Sequence, residues 1–300
     1  MLTISKTSSV YKMSAHNAPA ATCRSGETVI FETQDCFGGQ IRSQDQLMNG
    51  ISWDNINPAT GPLYIEDAQP GDLLKVEIRT IELAPQGVMC DSPGEGITGQ
   101  VLTDEATKIF PVSDGCAVFN DKLRFPVKPM IGVIGTAPED GAEIETGTPG
   151  DHGGNMDCSR ISENTVLYLP VNVEGALLAM GDVHALMGDG EVCVCGVEIP
   201  ARITVTVSVI KGKYLPTPFL VTEDQFMTIY SADDLDAAVR RAVLRMRSFL
   251  IDELGMEQHE AGFLLSTIGD ARICQCVDPK ETCRMEVSRY VTDQYGYTFF

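Results

Sequence analysis

The chain has 300 residues, with 22 Lys and Arg against 42 Asp and Glu, giving a net charge of −20. Hydrophobic residues at 43% and charged residues at 21% mark a globular chain able to bury a substantial core, which excludes a disordered one. So acidic a molecule repels phosphate backbones, and nucleic acid is excluded as a partner: the one dense basic stretch, Arg240, Arg241, Arg245 and Arg247, shares its helical pattern with Asp233, Asp234 and Asp236.

Residues 1–222 read as a β-rich body. From Leu73 onward, Leu74, Val76 and Ile78 alternate with Lys75, Glu77 and Arg79, the period-two signature of a strand with one buried face. Residues 165–173 and 191–199 are more continuously apolar, as more deeply buried strands are. In 201–210, Ile203, Val205, Val207 and Val209 oppose Thr204, Thr206 and Ser208. Clusters such as Asn57-Pro58, Gln69-Pro70-Gly71-Asp72 and Thr148-Pro149-Gly150-Asp151 punctuate these runs with turns, as sandwich or barrel strands require. No alternation of strand and helix is visible, which disfavours a doubly wound parallel sheet.

Residues 223–300 change character and predict a small α/β part packed on the body. Ser231 to Asp234 opens a helix in which Leu235, Ala238, Val239, Ala242, Val243, Met246, Phe249 and Leu250 form one apolar stripe, ended at Gly255. A shorter helix over 260–267 and a strand over 272–277 follow. The final residues, with Tyr290, Tyr295, Tyr297, Phe299 and Phe300, predict docking against the body or a partner subunit.

No uninterrupted apolar run of about eighteen residues occurs, so no membrane span is expected. The first twenty residues lack the apolar core of a signal peptide, and the ten cysteines contain no C-x-x-C pair, so a zinc framework is not expected. Cys193/Cys195 and Cys274/Cys276 are expected to share strand faces as small hydrophobes. Reduced cysteines predict the cytoplasm.

Three of the four histidines sit among glycines and acids. His16 lies upstream of Asp35-Cys36; His152 lies in Gly150-Asp-His-Gly-Gly-Asn155-Met-Asp157; His184 lies in Gly181-Asp182-Val-His184, followed by Gly188-Asp-Gly190-Glu191. His259, at a helix start beside Glu257 and Glu260, reads as a solvated surface residue. Glycines let backbone approach a ligand closely, and mixed imidazole and carboxylate donors suit a divalent metal, zinc first. Each segment alone is ordinary turn chemistry; three together point to a metal site.

These segments are similar to the acetamidase/formamidase family. Gly61-Pro-Leu-Tyr-Ile-Glu66 through Pro70-Gly71-Asp72, the HGGN-x-D stretch of His152 to Asp157, and the GD-x-HA-x-x-GDGE-like stretch of Gly181 to Glu191 carry the resemblance. It implies hydrolysis of a short aliphatic amide to carboxylate and ammonia. It also implies a β-rich jelly-roll-like fold, a homo-oligomer of two or more subunits, and divalent metal near the histidines; the mixed donors make zinc the first choice, with room for a calcium site in addition. On that basis His16, Asp35 and His184 are expected as core ligands and Glu191 as general base. His152 with Asn155 would orient the amide, Asp157 or Asp182 would ligate or hold an imidazole, and Glu66 is a reserve acid. His152 as ligand is an open alternative. Rival readings are Cys36 as a thiol nucleophile and a non-catalytic metal-binding β protein.

Overall fold

The computed structural model describes residues 1–139 and 141–300. Two sheets face each other across one core. The larger has nine strands in the order Leu2–Ile4, Thr28–Glu32, Ala201–Ile210, Leu73–Leu83, Thr165–Pro170, Phe219–Val221, Gln225–Ala232, Glu281–Ser288 and Asp270–Gln275. The smaller runs Gly153–Asn155, Met130–Gly135, Leu178–His184, Ala59–Ile65 and Ser9–Val10, with Ala21–Cys23 also paired along Ala59–Ile65. The alternation in the sequence sorts the faces: Val76, Ile78, Ile203, Val205 and Val207 turn inward against Leu63, Ile131, Ile134, Leu178 and Met180 of the other sheet. Lys75 and Arg79 remain on the outer face, paired with Glu77.

A four-stranded antiparallel meander, Gln86–Asp91, Ala106–Ser113, Cys116–Val118 and Arg124–Pro126, extends from the body. Lys12–Ser14 pairs with Glu143–Glu145 as a separate two-stranded ribbon. The protein is therefore mainly β, with a small helical carboxy-terminal part, as the sequence predicts.

That part does not form a sheet of its own. Phe219–Val221 and Gln225–Ala232 are hydrogen-bonded neighbours on either side of residue 222, and Glu281–Ser288 and Asp270–Gln275 then complete the edge of the large sheet. The outer face of this half is apolar and is covered by helix α1, Leu235–Asp252, and helix α2, Gln258–Ile268. Asp234 caps α1 by accepting the Ala237 N–H at 2.8 Å, and Glu257 caps α2 by accepting the N–H groups of His259 and Glu260. Ala242, Met246, Phe249 and Leu250 of α1 press on Phe219, Phe226, Met285 and Val287 of the sheet. Tyr297, Phe299 and Phe300 dock on the chain's own body, with Phe299 5.8 Å from Phe226 between ring centroids, whereas Tyr290 and Tyr295 are exposed.

Residues 191–199 are not the buried strand that their composition predicts. They form a succession of turns, with positive φ at Glu191 and Val194, touching the sheets through isolated bridges from Glu198 to Val88 and His184. The apolar composition reflects burial, while the turns aim two carboxylates inward. Cys193 and Cys195 accordingly do not share a face: Cys195 is buried and Cys193 half-exposed. Cys274 is likewise buried, while Cys276 lies beyond its strand's end and donates to the Gly190 carbonyl at 3.2 Å.

Candidate active site

Strand Leu178–His184 delivers the centre of the site. His184 is fully buried at its end, and four carboxylates surround its Nε2: Glu198 at 2.9 Å, Asp182 at 3.5 Å, and Asp157 and Glu191 each at 3.8 Å. The Glu198 oxygen is close but out of line for a hydrogen bond. Burial alone would lower the imidazole pKa, yet Glu198 and Asp182 raise it well above its ordinary value.

The backbone at three of these acids is strained. Asp157, Asp182 and Glu191 have φ of 41°, 53° and 48°, a left-handed region costing about 1–3 kcal/mol for a residue with a side chain. Such strain persists where surrounding structure imposes it, and it gathers at functional sites. Two glycines make room for the group. A Cβ on Gly132 would collide with a carboxylate oxygen of both Asp157 and Asp182, and one on Gly196 would stand 2.6 Å from the His184 ring.

Burial pushes Asp157 up to about 7 and Glu198 up to about 8, and raises Glu191 and Asp278 well above the carboxylate range, each reinforced by the neighbouring acids. Both Asp157 oxygens, both His184 nitrogens and Glu198 Oε2 are buried without a hydrogen-bond partner. Unpaired buried polar atoms are costly, and a divalent cation would satisfy them and favour the ionised carboxylates. Two sets bring three ligand atoms within 4.8 Å of one another: Asp157, His184 and Glu191, and Cys36, Asp182 and Glu198. The donor chemistry thus fits a bound metal.

Part of the cluster reaches a cavity of about 890 Å³. Asp182, Glu191, Glu198, Asp278, Asn155 and Cys36 reach it, while Phe37, Met48, Ile51, Trp53 and Ile56 supply an apolar wall. Asn155 donates to Asp278 at 2.9 Å and leaves its own carbonyl oxygen buried and unpaired. Gln275 shapes the turn that carries Asp278, accepting the N–H groups of Val277 and Asp278.

The expected residues separate into two groups. His184, Asp157, Asp182, Glu191 and Asn155 converge. His16 is exposed and Asp35 is buried in its own turn, accepting the Gly39 N–H at 3.0 Å; neither lines the cavity or joins the cluster. Glu66 is on the surface beside Arg24 at 3.3 Å. His152 is buried behind the glycine loop, outside the cavity lining, with burial lowering its pKa to about 4. Sequence reasoning did not single out Glu198 or Asp278. A glutamate inside the apolar run 191–199 was a usable signal, because a charged residue is seldom buried without a task; Asp278, in an ordinary turn, offered none.

Comparisons with known proteins agree with this architecture. The model of the Acetamidase/Formamidase family matches residues 13–146 and 140–289. The crystal structure of an acetamidase from Bacillus halodurans superposes with a TM-score of 0.97, at 46% identity over 99% of this chain and 100% of that one. An acetamidase from Yersinia enterocolitica does so with a TM-score of 0.91, at 30% identity over 97% and 93%. The formamidase of Methylophilus methylotrophus is 25% identical over 88% of this chain and 84% of its own length. The acetamidase of Mycolicibacterium smegmatis is 26% identical over 64% of each, so the match spans less than two thirds of that protein. With the family model matching most of its length, the chain belongs to the acetamidase/formamidase family.

Proposed function

We propose that this protein hydrolyses small amides to a carboxylate and ammonia with the help of a divalent metal. One observation carries the reading: an imidazole is buried among carboxylates, some strained and some unpaired, and Asp182, Glu191 and Glu198 of that group reach a cavity open to a substrate. The names of the family's formamidases and acetamidases support formamide-like and acetamide-like substrates. His184 and Asp157, with Glu191 at their edge, would hold the metal, and mixed nitrogen and oxygen donors favour zinc. The remaining carboxylates, Asp182, Glu198 and Asp278, would suit calcium in addition. When bound, such an ion supplies an acidified water and polarises the amide carbonyl.

Glu191 alone of the His184, Asp157 and Glu191 set also lines the cavity, so it takes a proton from the attacking water and returns it to the leaving nitrogen. The unpaired Asn155 carbonyl oxygen accepts an N–H of the substrate amide, and Asp278 keeps that side chain turned the right way. His152 braces the glycine loop rather than touching substrate. The thiol alternative meets unfavourable electrostatics: burial, with Glu198, Asp182 and Asp35 nearby, raises the Cys36 thiol pKa well above its ordinary value and opposes the thiolate.

Ten free cysteines suit a reducing compartment, and we place the protein in the cytoplasm. Exposed Phe119, Leu123 and Phe125 on the meander offer an apolar face for assembly into an oligomer. Among the described residues, no helix is long and apolar enough to cross a membrane. Ammonia release from formamide and acetamide, before and after chelation and zinc re-addition, tests the mechanism. Loss on chelation and recovery with zinc are expected; activity indifferent to chelation would overturn the metal role and return Cys36 to consideration.

A further inference from the structure

We propose that Arg284, on strand Glu281–Ser288 of the carboxy-terminal part, is a positioning residue that fixes Glu191 in the site through Asp189. The inference rests on the reading that Glu191 works there. Arg284 is 3% exposed, and its guanidinium grips Asp189 with both ends, Nη2 donating to Oδ2 at 2.7 Å and Nη1 to Oδ1 at 3.1 Å. Its Nε donates to Glu286 at 2.6 Å and Nη1 also reaches the Ile273 carbonyl at 3.2 Å, so the fork itself cannot turn.

Asp189 stands two residues before Glu191, between Gly188 and Gly190, in a loop whose composition would otherwise leave it free. Three further bonds bind the loop to the same hairpin: the Gly190 N–H donates to the Cys274 carbonyl at 2.9 Å, and the backbone N–H and thiol of Cys276 donate to the Gly190 carbonyl at 3.3 and 3.2 Å. Ser159, two residues past Asp157, donates its hydroxyl to Asp189 at 2.7 Å. One carboxylate therefore ties the segment carrying Asp157 and the loop carrying Glu191 to one guanidinium.

Something must hold Glu191 in place. Its backbone is strained at φ 48°, a conformation that persists only where the surrounding structure imposes it. A buried ion pair adds little net stability compared with apolar packing, which leaves position, rather than stability, as what this one supplies. The carboxy-terminal hairpin thereby acts on the site twice, by contributing Asp278 and by holding Glu191.

The test compares Arg284→Gln, Asp189→Asn and Arg284→Lys with Met285→Ala. Met285 lies on the same strand but packs among the apolar residues under α1, and so destabilises the hairpin without touching the loop. Zinc affinity is measured by competition with a chromogenic chelator, kcat and KM on the best amide, and unfolding by thermal melts. We expect Arg284→Gln and Asp189→Asn each to lose about 10–100-fold in kcat and in zinc affinity, the usual effect of removing a partner that orients a metal site. KM should change little, the double variant should be no worse than either single one, and Arg284→Lys should recover part of the loss. Met285→Ala should melt earlier yet keep its kcat and zinc affinity. Wild-type values in folded Arg284→Gln, or equal losses in Met285→Ala, would overturn the proposal. If wild-type protein cleaves no amide, the hydrolytic reading fails, and zinc affinity alone decides on the clamp.

Discussion

Phe249 of helix α1, with Phe219 and Phe226 of the sheet beneath it, is as buried as Asp157, Asp182 and His184 at the end of the smaller sheet, yet burial has opposite consequences in the two places. At the helix–sheet contact, leaving water is itself the gain, about 1.5–3 kcal/mol for each large apolar side chain, and the ring centroids lie 5.0–6.1 Å apart, one pair stacked and two tilted. In the acidic cluster the same loss of water is a cost, increased by like charges and left-handed backbone. The first region makes the fold stable. The second consumes part of that stability to keep a charge pattern that the unaided chain would disperse.

The sharpest way to break this contrast is Glu191→Gln. If the cluster is costly and active, kcat falls about 10²–10⁴-fold while the denaturation midpoint of chelated protein holds or rises. A lower midpoint would show that the carboxylate stabilises the fold. Phe249→Ala should do the reverse, costing about 3–5 kcal/mol in urea titration while the folded fraction keeps its kcat.

Acidity gives a third measurement. Asp157 and Glu198 hold protons in the folded, metal-free protein up to about pH 7 and 8, whereas the unfolded chain releases them above about pH 4. The stability of chelated protein should therefore decline as pH rises from about 4 to 8. The raised imidazole of His184 adds in the same direction, because its contribution is lost as pH rises through its folded value. A fall of at least about 1.4 kcal/mol is expected, the equivalent of one pKa unit on one group, and zinc should flatten the slope. Stability that rose with pH would remove the repulsion from the account. The smallest effect belongs to Glu66→Gln. That exposed pair with Arg24 should change stability by no more than about 1 kcal/mol, and amide turnover should be unaltered.

Much of the framework was legible before the structure. Alternation in 73–83 and 201–210 identified strands and their buried faces, and the stripe from Leu235 to Leu250 identified α1. The motifs around His152 and His184 hold Asn155, Asp157, Asp182, His184 and Glu191, which the fold brings together. What stayed hidden depended on contacts far apart in sequence. His16 and His184 look alike among their small neighbours, yet one ends exposed and the other in the centre, because strand pairing decides which turns meet. Composition hid Glu198, since apolar neighbours imitate a strand whether the backbone extends or turns. Asp278 reaches the cavity by way of Gln275, a contact no spacing rule anticipates.

Gly132 has a consequence of its own. Because its bare Cα lies between Asp157 and Asp182, the gap separating two acids is set by main chain that nothing can thicken. In a library varying every position of that strand, position 132 would accept no replacement, while apolar neighbours such as Ile131 and Val133 could be exchanged for others of similar volume. The least conspicuous residue of the strand would leave the plainest mark on the family's sequences, although it has no side chain with which to do chemistry.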